Sequence, residues 1–477
     1  MEEAPSQAHD IIDPGSFRWL ADDLQSRDPL RWPGYRDSLQ RASERAATDE
    51  SVVTGAATIE GHEVELALFN FSFMGGSMGE VGGERLARSM ERAGSRRVPF
   101  ILRTETGGAR MQEGMRSLIQ MPKVVAARVM LAEAHQPMIA VLGHPTTGGV
   151  LASLASLADI TLAEQQATIG FAGPRVAEHV TGQPLPPGSH TATSGLDHGM
   201  FDDVVSAETL RSRVAVALVC LAPDDPQPDL QRPVEADGGV ADPWTAVETA
   251  RRHKDVDPTE AVEASFELRG DRAGAPADEL RCWIARGSGR RFLLMDTSGE
   301  PLRPSGFRKA LRCIEVAERL HLPVVTLVDT PGADPSASSE GEGVAWLIAR
   351  LTHKMLTASV PVLSIVTGEG GSGGALAFAT GDVLVAYEAS IFSVIGPEAA
   401  AEILWKDPAR APEAARSLRL TSHDLRELGI ADAVVAGDPT TASLREVVPY
   451  HLDRLSGVYA DDPDPSRRRR ARWRNTW

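Results

Sequence analysis

The sequence predicts an α/β protein made of two tandem copies of one domain. The main observation is a long-range repeat with an offset of about 224 residues. The segment beginning at Val98 aligns with the one beginning at Leu322, and the segment at Pro137 aligns with the one at Pro361. Solenoid repeats are only about 20–50 residues long, so this period indicates duplication of a whole domain. The length of 477 residues also suits two domains better than one core.

Short apolar strands alternate with longer helical segments in both copies, which is typical of a mainly parallel sheet. Residues 1–40 are expected to be a helical lead-in, and Val52–Phe73 to form two strands. The further elements expected in the first copy are helix 84–93, strand 100–104, helix 115–135 and strand 138–142. Those expected in the second copy are strand 292–295, helix 307–320, strand 324–328, helix 343–357 and strand 362–366.

Composition shifts predict the domain boundaries. Residues 222–243, rich in proline, glycine and aspartate, predict a linker between a first domain over 1–221 and a second over 244–460. Residues 461–477 form an arginine-rich tail, predicted to be solvated, with docking on an acidic partner as the alternative. The net charge of −17 argues against a general nucleic-acid binder.

The cysteines and the hydropathy pattern point to a cytoplasmic protein without a metal site. Cys220, Cys282 and Cys313 form no CxxC pair, so the sequence supports neither a zinc ribbon nor a disulfide framework. No apolar run approaches the roughly 18 residues of a transmembrane helix, and the first residues do not resemble a signal peptide. Membrane association and bound zinc are therefore not expected.

A glycine pair stands between a buried strand and a small-residue helix in each copy. The two sets are Gly148, Gly149 and Val150 in the first copy and Gly373, Gly374 and Ala375 in the second. Glycines permit close backbone approach, and free amides at a helix N-terminus can hold an oxyanion. Both sets are therefore candidate oxyanion holes at matched positions, with tight strand–helix packing as the alternative.

Two other patterns compete for the same loops. Residues 368–373 fit the dinucleotide fingerprint GxGxxG, with Glu388 about 20 residues further on, but the first copy lacks the middle glycine. Residues 75–79 and 370–374 fit GxSxG, the pattern of a serine-hydrolase elbow. The repeat does not align a second serine with Ser372, which weakens that interpretation.

Nine longer stretches carry a family resemblance. They are 28–35, 71–79 (FSFMGGSMG), 107–113, 145–150 and 169–175 in the first half and 306–310, 329–333, 368–377 (GEGGSGGALA) and 403–406 in the second. With these stretches the chain resembles the carboxyltransferase component of biotin-dependent acyl-CoA carboxylases. The first half is similar to the bacterial acetyl-CoA carboxylase carboxyltransferase β subunit and the second half to the α subunit, so the chain looks like a β–α fusion.

The resemblance implies two crotonase-like domains, each a ββα superhelix, the first binding acyl-CoA and the second carboxybiotin. The amides at Gly148-Gly149 would then stabilise the thioester enolate, and those at Gly373-Gly374 the biotin enolate. The residues implied on the acyl-CoA side are Phe73, Gly75, Gly76, Gly107, Gly108, Ala109, Arg110, Gly173 and Arg175. Those implied on the biotin side are Gly332, Gly370, Gly371 and Gly396.

The resemblance also implies what the chain works with. Biotin would be carried on a separate protein, the biotin carboxyl carrier protein, and loaded by a biotin carboxylase. Neither a Met-Lys-Met biotin site nor an ATP-binding domain is seen, so only the transfer half-reaction is expected. The family further implies a head-to-tail homodimer or higher homo-oligomer.

The substrate and direction of the reaction are less closely defined. Conversion of acetyl-CoA to malonyl-CoA is the expected reaction, and the small Ala377 favours a short acyl group. The four-cysteine zinc ribbon of the β subunit is missing, which suggests a specialised role. One alternative is therefore a decarboxylase of a malonyl or methylmalonyl thioester on CoA or a carrier protein. Another is a non-catalytic assembly subunit, which two intact glycine pairs disfavour.

Overall fold

The computed structural model describes residues 4–20, 22–226, 230–238, 242–252, 256–297, 299–459 and 464–475. The chain divides into two compact units, the first ending at Leu218 and the second beginning at Val219. Within the described residues, each unit contains one mixed sheet of eight strands. None of the helices found there is long and apolar enough to cross a membrane.

The first unit begins with a short strand and a helix, continues with a β-hairpin and then alternates strands with helices. Its strands are β1 (Arg18–Trp19), β2 (Val52–Ile59), β3 (His62–Phe69), β4 (Phe100–Thr106), β5 (Met138–Thr147), β6 (Ile160–Glu164), β7 (Ile169–Gly170) and β8 (Asp203–Val205). Its helices are α1 (Tyr35–Ala46), α2 (Glu80–Arg96), α3 (Met115–Leu118), α4 (Gln120–Glu133), α5 (Gly149–Ser153), α6 (Pro174–Thr181), α7 (Ala192–Asp197) and α8 (Ala207–Leu221).

The sheet of the first unit has the strand order β1-β2-β3-β4-β5-β6-β8, and β7 pairs with β5. β2 and β3 are antiparallel, and their turn residues Glu60 (φ 45°) and Gly61 (φ 82°) both adopt the left-handed φ that a two-residue hairpin turn favours. From β3 to β8 the pairs are parallel. Parallel strands end at one edge of the sheet, so the loops after β3, β4 and β5 lie side by side.

The second unit repeats this order with a longer helical ending. Its strands are β9 (Ala264–Glu267), β10 (Arg281–Gly287), β11 (Arg290–Asp296), β12 (Val324–Thr330), β13 (Val362–Gly371), β14 (Val383–Tyr387), β15 (Ile391–Ser393) and β16 (Ala433–Val435). Its helices are α9 (Pro243–Ala250), α10 (Pro304–Leu320), α11 (Ala337–Gly341), α12 (Val344–Thr357), α13 (Ser372–Ala379), α14 (Pro397–Trp405), α15 (Ala411–Leu418), α16 (Ser422–Glu427), α17 (Thr441–Tyr459) and α18 (Pro465–Arg474).

The two sheets correspond strand for strand. The second has the order β16-β14-β13-β12-β11-β10-β9, with β15 paired to β13. β4 and β12 begin 224 residues apart, and so do β5 and β13, and α4 and α12. The predicted duplication is therefore confirmed element by element, and each copy buries the apolar side chains of its central strands.

Two helix predictions for the first unit are wrong. The lead-in over 1–40 is largely irregular up to α1, because Pro14, Pro29 and Pro33 interrupt any helix there. The helix expected over 115–135 is divided into α3 and α4. Pro122 lacks a backbone N–H and is tolerated only in a first helical turn, so a new helix starting at Gln120 accommodates it.

The predicted linker over 222–243 is partly bound to the second unit. Ala236 donates its amide to the carbonyl of Val434, and Ala436 donates to the carbonyl of Val234, both at 3.0 Å. Nearer its start, the Asp225 carboxylate lies 2.7 Å from the Arg286 guanidinium. Residues 227–229 and 239–241 lie outside the described part of the chain. A composition typical of linkers does not exclude such backbone pairing.

The prediction of a solvated arginine tail is wrong. Residues 464–475 contain the ten-residue helix α18, whose side chain at Asp464 caps it by accepting from the Arg467 amide. The Arg469 side chain has no exposed surface and lies 2.7 Å from the Asp382 carboxylate. The acidic partner of this tail is therefore found within the same chain, in the second unit.

Candidate functional site

Three glycine loops meet at the carboxyl edge of the first sheet. The Gly107 amide donates to the Gly75 carbonyl at 3.0 Å, and the Met78 amide donates to the Gly108 carbonyl at 2.8 Å. A Cβ added to Gly148 would lie 3.0 Å from the Gly108 Cα, because the two backbones cross in contact. The structure thus brings the predicted loops after β3, β4 and β5 together.

The amides that can serve an oxyanion in this unit are more restricted than the sequence predicts. Gly148 has a φ of 73° and donates its own amide to the Phe171 carbonyl at 2.9 Å, so that amide is occupied. α5 begins at Gly149, and the first amides of a helix have no intrahelical acceptor. The amides of Gly149 and Val150 are therefore the available donors.

Arg110, predicted on the acyl-CoA side, is instead buried inside the first unit. Its guanidinium has no exposed surface and pairs with Glu50 and Glu113, the latter at 3.2 Å. It also donates to the Ser77 carbonyl at 2.7 Å and lies 5.4 Å from the centre of the Phe73 ring. A guanidinium with these partners has no surface left for a phosphate or a thioester. Arg110 fixes the loops rather than contacting a ligand.

The charge state of this buried pair follows from its surroundings. Burial alone would raise the pKa of Glu50, but the Arg110 guanidinium outweighs it and holds the pKa below the ordinary value. The same carboxylate accepts from the Ser51 amide at 2.6 Å, which also favours the ionised form. The pair is therefore ionised at neutral pH.

The remaining residues predicted on the acyl-CoA side differ in accessibility. Phe73 is buried, and Gly76 packs so closely that an added Cβ would lie 1.8 Å from the Glu105 carbonyl oxygen. Gly173 precedes the first residue of α6 and has open space around its Cα. Arg175 lies in the exposed first turn of the same helix. Among the predicted cations, only Arg175 is thus placed to meet a ligand.

Close backbone contact recurs in the second unit. A Cβ on Gly332, whose φ is 121°, would lie 2.7 Å from the Gly371 carbonyl oxygen. A Cβ on Gly371 would lie 1.9 Å from the Pro331 carbonyl oxygen, and one on Gly370 would meet the Phe392 ring at 2.2 Å. Gly332, Gly370 and Gly371 are therefore needed for packing between the ends of β12 and β13.

The second glycine pair divides between packing and exposure. An added Cβ on Gly374 would lie 2.4 Å from the Ala333 amide nitrogen, whereas one on Gly373 would find its nearest atom, Ile348 Cγ2, at 4.0 Å. Gly373 is exposed, while Gly374 and Ala375 are buried in the first turn of α13. The open face of this helix start is thus at Gly373.

The glycine pairs do not occupy the same positions in the two units. The constant offset of β5 and β13 places Ser372 opposite Gly148, and both residues have a left-handed φ, 55° and 73°. Gly149 therefore corresponds to Gly373, and Val150 to Gly374. The prediction of matched pairs is one residue out of register, because it aligned glycines by identity rather than by backbone conformation.

An arginine that the sequence did not single out ties the second unit's loops together. Arg251, just after α9, binds both carboxylate oxygens of Glu369, at 2.9 and 3.0 Å. It also lies 2.6 Å from the Glu398 carboxylate in α14, beside Gly396. Burial would raise the pKa of Glu398, but the Arg251 hydrogen bond prevails and lowers it. A bidentate arginine connecting β13 to α14 fixes both loops.

The competing motifs find little support in the geometry. Glu388 accepts the Gly437 amide at 2.9 Å, so it has a structural partner where a ribose contact would be expected. The Ser77 hydroxyl donates to the Met74 carbonyl at 2.8 Å. Ser372 is exposed, but it stands where the first unit has Gly148, a residue with no nucleophile.

Each unit also contains a cleft near these loops. In the first unit a cleft of about 960 Å³ is lined by Arg36, Arg116 and Lys123, but Glu80 and Glu84 pair with two of these cations. In the second unit a cleft of about 480 Å³ lies at the ends of β12 and β13. No group of three or more His, Cys, Asp or Glu side chains that could hold a metal occurs among the described residues.

Two family profiles match the chain. The one described as "Carboxyl transferase domain" matches residues 11–264, and the one described as "Acetyl co-enzyme A carboxylase carboxyltransferase-like" matches residues 241–449. Together they cover both units. The dinucleotide-binding and serine-hydrolase interpretations of the glycine loops are therefore set aside.

Relatives and a solved structure agree with the profiles. The chain is 41% identical to an acetyl-coenzyme A carboxylase carboxyl transferase subunits beta/alpha protein of Salinispora arenicola, over 98% of this chain and 90% of that one. It is 35% identical to a probable biotin-dependent acyl-coenzyme A carboxylase beta3 subunit of Mycobacterium tuberculosis, over 95% and 92%.

The crystal structure of transcarboxylase 12S with methylmalonyl-coenzyme A and methylmalonic acid bound has a TM-score of 0.75 to this chain. The two are 23% identical, over 96% of this chain and 90% of that one, which shows the shared fold of two crotonase-like domains. The glycine loops, the two profiles and the full-length relatives lead to one conclusion. The chain belongs to the acetyl-CoA carboxylase carboxyltransferase family and is a biotin-dependent acyl-CoA carboxyltransferase.

Proposed function

We propose that the chain moves a carboxyl group from carboxybiotin on a separate carrier protein to acetyl-CoA, giving malonyl-CoA. The observation that carries the proposal is the pair of helix starts, at Gly149 and Gly373, each following a glycine crossing at the carboxyl edge of its sheet. The full-length relative that is named as a fusion of the two acetyl-CoA carboxylase subunits supports the choice of acyl group.

The two helix starts suit chemistry that passes through enolates. Removing a proton from the acyl α-carbon leaves negative charge on the thioester oxygen, which the Gly149 and Val150 amides can receive. Transfer of the carboxyl group likewise leaves charge on the ureido oxygen of biotin, which the Gly373 and Gly374 amides can receive. Amides held in place at a helix N-terminus stabilise such charge without reorganising during the reaction.

Choice of the acyl group does not come from Ala377. This residue is completely buried in α13, so it has no surface for a substrate. On the acyl-CoA side, we assign the shape of the pocket to the loops at Gly75 and Gly107-Gly108, held in place by the buried Arg110. The exposed Arg175 is our candidate for contact with a phosphate of CoA.

An assay with separated components tests the proposal. With ATP, bicarbonate and acetyl-CoA alone the chain should form no malonyl-CoA, and addition of a biotinylated carrier with its biotin carboxylase should start the reaction. Parallel reactions with propionyl-CoA compare acyl groups. Preference for propionyl-CoA would reject the acetyl assignment. Decarboxylation of malonyl-CoA without detectable forward transfer under matched conditions would favour the decarboxylase alternative instead.

We also propose a homo-oligomer. Large apolar side chains on and beside α6 and α14 are exposed by more than half, among them Phe171, Val180, Val394, Ile403 and Leu404. Such side chains, present in both units, are typical of surfaces covered by another subunit. Light scattering should therefore give at least twice the 51.0 kDa of one chain. An active species of one chain would contradict the proposal.

A further inference from the structure

An arginine of α4 anchors the turn after α5 in the first unit. The Arg128 guanidinium donates to the Asp159 carboxylate at 2.9 Å and to the Leu157 carbonyl at 3.2 Å. The same carboxylate accepts the Met138 amide at 2.9 Å, at the start of β5. One arginine thereby connects a long helix, the segment that follows the oxyanion candidate and the strand that precedes it.

The second unit has the same acceptors but lacks this arginine. α12 begins 224 residues after α4, so Thr352 stands where Arg128 stands. The Thr352 hydroxyl donates to the Ile348 carbonyl within its own helix. Asp382 nevertheless keeps the counterpart contact, because it accepts the Val362 amide at 2.7 Å, at the start of β13.

Helix α18 supplies the missing donors. Arg469 donates to both oxygens of the Asp382 carboxylate, at 2.7 and 3.0 Å. Trp473 donates its indole N–H to the Gly381 carbonyl at 2.9 Å. Gly381 is the counterpart of Leu157 at the same offset, so two residues of α18 reach the two acceptors that Arg128 reaches alone.

The replacement is deeply buried and has further acceptors. Arg469 has no exposed surface, and its guanidinium also donates to the carbonyls of Ala358 at 3.1 Å and Val360 at 2.7 Å. These carbonyls lie in the connection between α12 and β13. A buried guanidinium with this many acceptors is held in one geometry, unlike an exposed ion pair.

From these contacts we infer that Arg469 and Trp473 are positioning residues for the biotin-side oxyanion site. They act through α13, whose last residue, Ala379, precedes Gly381 by only two positions and whose first turn carries Gly373. Clamping one end of an eight-residue helix fixes the direction of its other end. This inference rests on the proposed function for its catalytic consequence, whereas the clamp itself does not.

Hydrogen–deuterium exchange of the full-length chain tests the clamp without an assay of activity. In Arg469→Ala, amides of residues 372–384 should exchange at least about tenfold faster, while the matching residues 148–160 of the first unit stay unchanged. The melting temperature should fall by roughly 10 °C, because Asp382 is left buried and unpaired. The matched control is Arg467→Ala, since Arg467 is exposed on the same helix. Equal exchange in the two variants would overturn the inference.

A graft separates positioning from general loss of stability. Adding Thr352→Arg to Arg469→Ala supplies the second unit with the arrangement of the first, so exchange protection and kcat should both recover. In Arg469→Ala itself, kcat should fall while the KM for acyl-CoA stays unchanged. Failure of the graft to restore protection would count against the equivalence of the two anchors. If the unaltered chain transfers no carboxyl group, the proposed function fails, and the exchange results still decide the clamp.

Discussion

Replacing Gly373 by valine is expected to lower carboxyl transfer by about 10²–10³-fold, the usual cost of losing one oxyanion donor. The new side chain would stand beside the amides at the start of α13 and block their approach to the biotin oxygen. The fold should be unaffected, because a Cβ at this position has its nearest neighbour at 4.0 Å. Steady-state kinetics with a carboxylated carrier, together with the melting temperature, measure both quantities.

The neighbouring glycine provides the matched control. Gly374→Ala introduces only a methyl group, but that methyl would lie 2.4 Å from the Ala333 amide nitrogen. We therefore expect Gly374→Ala to lower the melting temperature, whereas Gly373→Val should not. Near-normal turnover in Gly373→Val would show that the glycine pair serves packing and that the oxyanion assignment is wrong.

Replacing Arg110 by methionine should destabilise the first unit by about 3–5 kcal/mol, because Glu50 would remain as a buried charge without its partner. Urea unfolding followed by circular dichroism measures this change. The double variant Arg110→Met with Glu50→Leu should recover much of the loss, since a buried pair replaced by apolar groups costs little. The exposed Arg116→Met, which breaks a surface pair with Glu80, should cost less than about 1 kcal/mol.

The same pair gives the stability of the first unit a defined dependence on pH. The folded-state pKa of Glu50 lies below its ordinary value of 4.5. Its stabilising contribution is therefore complete above that value and is lost as the pH falls through the lower, folded-state pKa. The difference between the unaltered chain and Arg110→Met should shrink in acid. A difference that stays constant down to the acid transition would contradict the assignment.

Duplication made much of the fold predictable. Strands β4 and β5 recur as β12 and β13 with one offset, so each copy supported the assignment of the other. Their apolar runs and the glycines that follow are local signals, readable in a single segment. The same locality limited the prediction at Pro122, where hydrophobic periodicity was given more weight than a residue that must start a helical turn.

The errors concern partners that are distant in the sequence. Arg110 was assigned to the substrate because it follows a glycine loop, yet Glu50, which neutralises it, is 60 residues away. The arginine tail was expected to be solvated, yet Asp382 lies 87 residues before Arg469. Composition shows that a charge is present but not which buried carboxylate it meets. Only the packed structure distinguishes an internal ion pair from a ligand contact.

The backbone pairing of residues 234–236 has a consequence for the behaviour of the second unit in solution. β16 is the terminal strand of its sheet, and an unprotected strand at that position offers free backbone groups to other chains. Glu235 pairs antiparallel with Val435 and covers this strand. Shortening the connection so that it no longer reached β16 would expose a template for intermolecular β-pairing. The segment thus protects the chain from aggregation while joining its two halves.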